Sequence, residues 1–190
     1  MKKYVLSTIA GVFVLASGFY FGAPSEIIES HASITEYDDV ESIEDESDLI
    51  VVASPKKDFS EEEPTITYTD KGRIEDYYTV TDVEIHKIFK GEDIPETISV
   101  IQAAVMIKDD DLKHSKDTLA IEGYRVMEKD KEYLLFLEKK ENDQYGILGV
   151  FQGKVNIDNS DKMERKMAME NDRYQKLKEE ILEKYKSKLD

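Results

Sequence analysis

EYLLFLEK, residues 132–139, is the stretch that decides the fold of this chain. Five apolar or aromatic residues stand in a row between charged flanks, in a protein that is otherwise very acidic. Side chains alternate along a strand, so they divide into two faces, with Tyr133, Leu135 and Leu137 on one and Leu134 and Phe136 on the other. A strand that is apolar on both faces must be covered on both. We therefore expect one face to line a barrel interior and the other to lie under a lid.

The C-terminal segment 159–190 is predicted to supply that lid as one long amphipathic helix. It contains no proline or glycine, and its apolar residues recur mostly at steps of three and four, which places them on one helical stripe. The stripe consists of Met163, Met167, Tyr174, Leu177, Ile181, Tyr185 and Leu189. Asp161 with Glu164 resembles a capping box at the start of the helix. Such a helix is longer than a small barrel, so we expect part of it to project.

Residues 34–158 read as five to seven short strands separated by turns. The run at 49–53 (LIVVA) is apolar and largely β-branched, and the turn DKG at 70–72 supplies the glycine that a tight hairpin needs. Residues 55–64 read as a loop bounded by prolines, and 103–117 as a largely polar loop. The pattern predicts a mainly β domain, either a small antiparallel barrel or a sandwich.

The N-terminus has the pattern of an export signal. Two lysines precede residues 4–23, which carry no charge and would span about 30 Å as a helix, enough to cross a bilayer. The basic end is expected to stay in the cytoplasm, which places the rest of the chain outside. Ala16 and Gly18 also fit a cleavage site. Residues 1–23 are therefore a signal peptide or a transmembrane anchor, and residues 24–33 a polar linker.

The composition restricts the partners. The chain has a formal net charge of -16 and no cysteine, so disulfides, cysteine metal sites and thiol nucleophiles are excluded. An acidic body repels nucleic acid and anionic lipid headgroups, so we expect no nucleic-acid partner. It favours cationic partners and leaves room for weak binding of divalent cations. Membrane contact is expected only through the N-terminal segment, if that segment is not cleaved.

No sequence motif indicates catalysis or cofactor binding. His31, His86 and His114 lack metal-ligand spacing, and nucleophile-elbow, Walker-type and dinucleotide-binding loops are absent. With 42 acidic residues in the chain, no carboxylate pair stands out as that of a glycosidase. The stretches 109–111 and 158–161 could contribute oxygens to Ca²⁺, but both lack the calcium-loop pattern, and turn and helix-cap roles are the alternative that we expect. We assign no catalytic, cofactor-binding or metal-binding residue.

Three tyrosines, Tyr68, Tyr77 and Tyr78, cluster in the predicted hairpin. They allow two interpretations. The side chains form an exposed surface for a partner, or they pack across the two strands. Cross-strand packing is the simpler interpretation.

Two motifs resemble the netrin-like domains, which include the tissue inhibitors of metalloproteinases. TDVEIHKIFKG (81–91) and KDKEYLLFL (129–137) follow in the order of a Phe-Lys-Gly strand end and a Lys-Glu-Tyr-Leu strand. The spacing is also similar to that of many exported Gram-positive proteins. The resemblance covers about residues 34–157 and implies an oligonucleotide/oligosaccharide-binding (OB) type of barrel. It also implies zinc ligation by an N-terminal cysteine in those inhibitors, but this chain has no cysteine, so we transfer no functional residue.

The sequence therefore predicts an exported protein, either secreted or anchored on the extracellular side of the membrane, that binds another protein and has no catalytic activity. The contact candidates are residues 160–190 and the loops at 55–64 and 103–117. The alternative is a secreted inhibitor of an extracellular hydrolase that acts by loop insertion. An unrecognised hydrolase is the third hypothesis, and it requires a pocket with a carboxyl group whose pKa is raised by burial.

Overall fold

The computed structural model describes residues 27–30, 34–108, 116–121 and 123–189. Within these ranges, no helix has the length and apolar character needed to cross a membrane. Several parts of the sequence interpretation lie outside the described residues, namely the leader 1–23, His31, His114 and the acidic stretch 109–111.

The described residues form strands, helices and short turns. The strands are β1 (Ile27–Ser30), β2 (Leu49–Pro55), β3 (Pro64–Tyr68), β4 (Ile74–Lys90), β5 (Thr97–Gln102), β6 (Ala104–Lys108), β7 (Lys116–Ile121), β8 (Tyr133–Lys139), β9 (Gln144–Ile147) and β10 (Lys154–Asn156). The helices are α1 (Val40–Glu46), α2 (Lys162–Glu170) and α3 (Asp172–Leu189). Two single 3-10 turns cover Phe59–Glu61 and Glu141–Asp143.

Five strands close a barrel in the order β8–β2–β4–β5–β9, and β9 pairs back with β8. The predicted small barrel is confirmed. Not all of its pairs are antiparallel, because β5 and β9 run parallel. β10 extends the sheet beside β8, and β3 pairs with the long strand β4.

A second, three-stranded sheet has the order β1–β7–β6. The prediction of a polar loop over 103–117 is wrong at both ends, since β6 and the start of β7 fall within it. Ala104 and Val105 are fully buried, but their short apolar run ends at Lys108 and is followed by three aspartates, which hid the strand. β1 lies in the stretch expected as a linker and pairs parallel with β7.

The two faces of EYLLFLEK lie in two different cores, as predicted. One face points into the barrel, where it meets the inward side chains of other strands, including Val51, Val83 and Val100. The opposite face lies under the helices and meets Ile43 of α1 and Leu177 of α3. Burying a side chain of this size contributes roughly 1.5–3 kcal/mol, so this strand stabilises both layers of the domain.

The acidic run before β2 forms α1, which buries Val40 and Ile43 and leaves its acidic side facing solvent. This agrees with a short helix that has a narrow apolar edge. Asp39 caps the helix, and its carboxylate accepts a hydrogen bond from Ser42 N at 2.8 Å. The bond lowers the pKa of Asp39.

The single C-terminal helix predicted for 159–190 is in fact two helices, α2 and α3. The chain is extended at Asn171, with φ -131° and ψ 93°. Asn171 Oδ1 accepts a hydrogen bond from Tyr174 N at 3.0 Å, so its side chain caps α3. The break shortens the second helix, which packs against the barrel along its length. Tyr185, near its end, is buried, and Leu189 also contacts the core, so the expected overhang is wrong.

The Phe-Lys-Gly motif at the end of β4 has packing roles. Phe89 meets the ring of Tyr185 edge to face, with centroids 4.9 Å apart. Gly91 has φ +119°, and a Cβ placed on it would lie 2.7 Å from Leu49 Cδ1. A turn with this backbone conformation and this little space requires glycine.

Candidate functional site

A cleft of about 440 Å³ opens on the outside of the barrel across β4 and β5. Apolar and aromatic side chains line it together with polar groups from the β8–β9 turn: Asp76, Tyr77, Tyr78, Ile101, Ala103, Ile121, Lys140, Glu141, Asn142 and Gln144. We call it the outer-face cleft. A volume of this size and a mixed lining are typical of ligand sites.

The cleft lies beside the second and third strands of the barrel and the loop between the fourth and fifth. β4 and β5 are the second and third strands of the closed barrel in chain order. In OB-type barrels, the face of these two strands and the loop between the fourth and fifth strands bind ligands. Here that loop is the turn Glu141–Asp143 between β8 and β9, which contributes Glu141 and Asn142 to the cleft.

Strand alternation places Ile101 of β5 on the outside of the barrel, where it lines the cleft. Val100 of β5 points into the barrel core, so its neighbour Ile101 points outward and is half-buried. Tyr78 lies on the outward face of β4 and is also half-buried. The cleft therefore has an apolar centre beside amide groups.

The structure places the tyrosine cluster at cross-strand positions and partly in the cleft. Tyr77 and Tyr78 pack across the ribbon of β3 and β4, opposite Ile66 and Thr65, and both also line the cleft. Tyr68 sits at the tip of this ribbon with 59% of its surface exposed.

The ribbon projects beyond the barrel. β2 ends at Pro55, opposite Val83, and β5 ends at Gln102, opposite Thr79, so β4 continues past both barrel neighbours. At the far end, Tyr68 pairs across the strands with Ile74, which is 42% exposed. The ribbon tip therefore presents an exposed pair of large apolar side chains.

A larger groove of about 930 Å³ lies beside α1 and is strongly acidic. Its carboxylates are those of Glu36, Asp38, Asp39, Asp45, Glu46, Asp48 and Glu138. Several of them have structural partners. Arg173 of α3 pairs with Glu36 and Asp38, and Asp48 accepts a hydrogen bond from Lys139 N at 2.7 Å. Several carboxylates of the groove thus have structural roles: they cap α1, pair with α3 or bond to the main chain of the barrel.

The segment that lines the acidic groove is held by a buried amide. Gln152 donates a hydrogen bond to Tyr37 O and accepts one from Tyr37 N, each at 2.8 Å. The side chain of Gln152 is almost fully buried. This pair fixes the chain that leads into α1 against the β9–β10 turn.

A buried ionic network joins the C-terminal helices to the barrel. Glu164 of α2 accepts hydrogen bonds from Lys154 Nζ of β10 at 3.0 Å and from Lys178 Nζ of α3 at 2.8 Å. It also accepts one from Asn156 N at 3.0 Å. The side chains of Lys154 and Glu164 are fully buried, and that of Lys178 is 7% exposed. Burial raises the pKa of Glu164, but the two ammonium groups outweigh it and hold that pKa below its usual value.

This network corrects the predicted capping box. Asp161 does cap α2, accepting hydrogen bonds from Met163 N and Glu164 N at 2.9 Å. Glu164 does not return to the cap, however, because its carboxylate turns inward to the two lysines. Sequence reasoning missed the network because lysine and glutamate are almost never fully buried unless they are paired, and nothing in the sequence marks the pairing.

The histidines and carboxylates of the described residues were candidates for a metal site. Among them, no three histidine, aspartate or glutamate side chains come together in a way that could hold an ion. His86 lies exposed on its strand, as expected, with Nε2 2.7 Å from Ser54 Oγ. Asp158 accepts a hydrogen bond from Ser160 N at 3.0 Å, which is a turn role, and Asp161 is a helix cap.

The hydrolase hypothesis required a pocket with a carboxyl group made less acidic by burial. Burial raises the pKa of Glu62, and its Oε1 atom is buried without a hydrogen-bond partner. Glu62 lines neither the outer-face cleft nor the acidic groove. Glu62 therefore does not supply either cavity with the buried carboxyl group that the hypothesis requires.

No protein-family model matches this chain, and no curated protein matches it either. The likeness of residues 34–157 to netrin-like domains therefore rests on the two sequence motifs alone.

Proposed function

We propose that this protein is an extracellular binding module without catalytic activity, and that a segment of a partner protein occupies the outer-face cleft. The observation that carries the proposal is the apolar centre of that cleft. Ile101 on the outer barrel surface and Tyr78 at the base of the ribbon are both half-buried and line the cleft with the amides of Asn142 and Gln144. Aromatic and apolar anchors next to polar rim groups are typical of protein interfaces.

Charge supports a protein ligand over a nucleic acid. OB-type barrels that bind single strands combine aromatic side chains with a basic groove. Here Asp76 and Glu141 line the cleft, and Lys140 forms an ion pair with Glu138. The extracellular placement is supported by the charge-free stretch 4–23 that follows the N-terminal lysines.

Site-specific photo-crosslinking in cells that produce the full-length chain tests the proposal. Gln144, on the cleft lining, is replaced by p-benzoylphenylalanine, and Met169 of α2 serves as the control position. Met169 is 68% exposed and does not line the cleft. We expect a covalent protein adduct at position 144 only, and its loss when Ile101→Ser removes the apolar centre. Equal adducts at both positions, or an adduct that survives Ile101→Ser, would contradict the proposal.

The ribbon tip supports a second candidate, the inhibition of an extracellular hydrolase by insertion of a loop. Tyr68 and Ile74 stand exposed as a cross-strand pair at the end of a ribbon that projects from the barrel. A projecting tip with apolar side chains has the shape needed to enter an active-site cleft. Hydrolase activities of a culture supernatant are measured against increasing full-length chain and against its Tyr68→Ser/Ile74→Ser variant. Inhibition that the variant lacks supports this candidate, and unchanged rates at every concentration remove it.

A further inference from the structure

Among the residues that the structure describes, one edge of the ribbon has no strand partner. β5 ends at Gln102, opposite Thr79, and the chain then turns away into β6. From Thr79 toward the ribbon tip, β4 pairs on one edge with β3. On the other edge, no strand of the described residues pairs with β4 beyond Thr79. This edge adjoins the outer-face cleft, which Asp76 and Tyr77 help to line.

The main-chain groups of Tyr77 face that open edge. Along a strand, successive residues direct their N–H and C=O groups to opposite edges. Ile85 N donates to Glu96 O on the β5 side, and Asp82 O accepts from Lys56 N on the other side. The β4 pairing is regular between Asp76 and Glu84, so odd-numbered residues there face the β5 side. Tyr77 is the first of them without a β5 partner.

The N–H group of Tyr77 has no main-chain partner among the described residues, and a neighbouring carboxylate accepts its hydrogen bond instead. It donates a hydrogen bond to Asp76 Oδ1 at 2.8 Å, and Asp76 is exposed. A charged side chain is one of the devices by which proteins protect an edge strand from unwanted pairing. Here the carboxylate belongs to the flexible side chain of the neighbouring residue, so an incoming carbonyl oxygen can take its place.

We propose that an extended, lysine- or arginine-rich segment of a partner protein adds to this edge at Tyr77, in line with the end of β5. Its carbonyl accepts the Tyr77 N–H, and one of its N–H groups donates to Tyr77 O. The displaced Asp76 carboxylate then pairs with a basic side chain of the segment, while an alternate side chain enters the cleft against Ile101. Strand addition of this kind takes affinity from main-chain hydrogen bonds and specificity from side-chain pockets.

Charge favours a basic partner over a second copy of this chain. Two copies paired along this edge would bring Glu75 and Asp76 close to their own equivalents, and like charges across strands are destabilising. The whole chain also carries a formal net charge of -16, which repels a second copy. The same charges attract a lysine- or arginine-rich segment.

Short synthetic peptides test the inference with the full-length chain in nonionic detergent. One set alternates apolar residues with lysine, and a matched set carries glutamate in place of lysine. We expect peptides of the lysine set to bind at least about tenfold more tightly. For a binding peptide, N-methylation of one alternate set of amides should weaken binding by about tenfold or more, and N-methylation of the other set should not. Equal binding of the lysine and glutamate sets, or of the two N-methylated forms, would overturn the inference.

A pair of variants at one position separates main-chain from side-chain effects. Tyr77→Ala and Tyr77→Pro both remove the ring, but only proline removes the N–H that faces the open edge, and proline is tolerated at such edge positions. We expect both to keep the far-UV circular dichroism of the barrel and Tyr77→Pro to bind peptide about tenfold more weakly than Tyr77→Ala. Equal affinities would exclude strand addition.

The inference rests on the proposed function, and crosslinking at position 144 distinguishes the failure of one from the failure of the other. If the adduct at position 144 persists in Tyr77→Pro, the cleft binds a partner without strand addition. If position 144 gives no adduct at all, the proposed function itself fails.

Discussion

Replacing Glu164 with glutamine removes the one carboxylate that Lys154 and Lys178 share. The amide keeps the shape and one acceptor oxygen, but two ammonium groups then lie in the interior beside a neutral side chain. Breaking a buried ion pair by removing one partner costs about 3–5 kcal/mol. A domain has a total stability of roughly 5–15 kcal/mol, so we expect Glu164→Gln to lose a large part of it.

The chain offers a control in the same helix. Glu170, also in α2, pairs with Lys166 at 4.0 Å, and both side chains are more than 60% exposed. Exposed pairs of this kind contribute about 0–1 kcal/mol, so Glu170→Gln should have little effect. The comparison holds the substitution and the helix constant and changes only the burial of the ion pair.

Urea unfolding of the full-length chain, followed by far-UV circular dichroism, measures the difference. The chain has no tryptophan, so circular dichroism is preferred to fluorescence. The double variant Lys154→Met/Glu164→Gln removes one of the two uncompensated cations. It should therefore be more stable than the sum of the two single losses predicts. A Glu164→Gln midpoint indistinguishable from that of Glu170→Gln would refute the reasoning that this buried charge holds the helices to the barrel.

Three further predictions concern other parts of the fold. The pKa of Glu164 is lowered in the folded state, so the stability that its carboxylate contributes is present above its unfolded pKa of about 4.3 and is lost as the pH falls through the folded value. The stability difference between the native chain and Glu164→Gln, measured by urea unfolding across pH, should therefore shrink in acid. A difference that stays constant with pH would contradict this. Gly91→Ala should lower the free energy of unfolding by about 1–3 kcal/mol, because alanine is strained at φ +119° and its methyl group would lie 2.7 Å from a leucine side chain. Gly72→Ala is the matched control, since Gly72 has φ +72° and free space around it. It should lose less stability in the same thermal unfolding assay. Gln152→Ala should lower the stability by about 2 kcal/mol, because it leaves the buried N–H and C=O groups of Tyr37 unpaired. Amide hydrogen exchange at Tyr37 should become faster as the segment loosens. Unchanged exchange would show that Gln152 does not hold this segment in place.

The alternation in EYLLFLEK was sufficient to predict both layers of the core. Its two apolar faces required an interior and a lid, and the spacing of Leu177, Ile181 and Tyr185 identified the lid. These patterns, with periods of two and of 3.6 residues, can be read directly from the sequence. The parallel closure by β5 and β9 could not be read in this way, because it depends on where the chain returns after β6, β7 and β8.

Three other features were hidden for separate physical reasons. Asn171 breaks the helix through a side-chain cap, although the apolar spacing continues across it. Lys154 and Glu164 are buried only because each neutralises the other. The outer-face cleft forms where the β8–β9 turn meets the outer surface of β4 and β5, so it depends on tertiary geometry. The tyrosine cluster was visible in the sequence, but its position beside the cleft was not.

The lid that covers Leu134 and Phe136 comes from opposite ends of the domain, with α1 before the first barrel strand and α3 after the last. Contacts such as Lys184 Nζ with Glu44 Oε2 at 2.6 Å and Tyr185 with Phe136 involve residues close to the C-terminus. During synthesis, the apolar outer surface of β8 therefore stays uncovered until α3 has been made and has packed against it. Premature termination within α3 would leave that surface bare and invite aggregation. Formation of α3 is thus a condition for keeping that surface away from other chains.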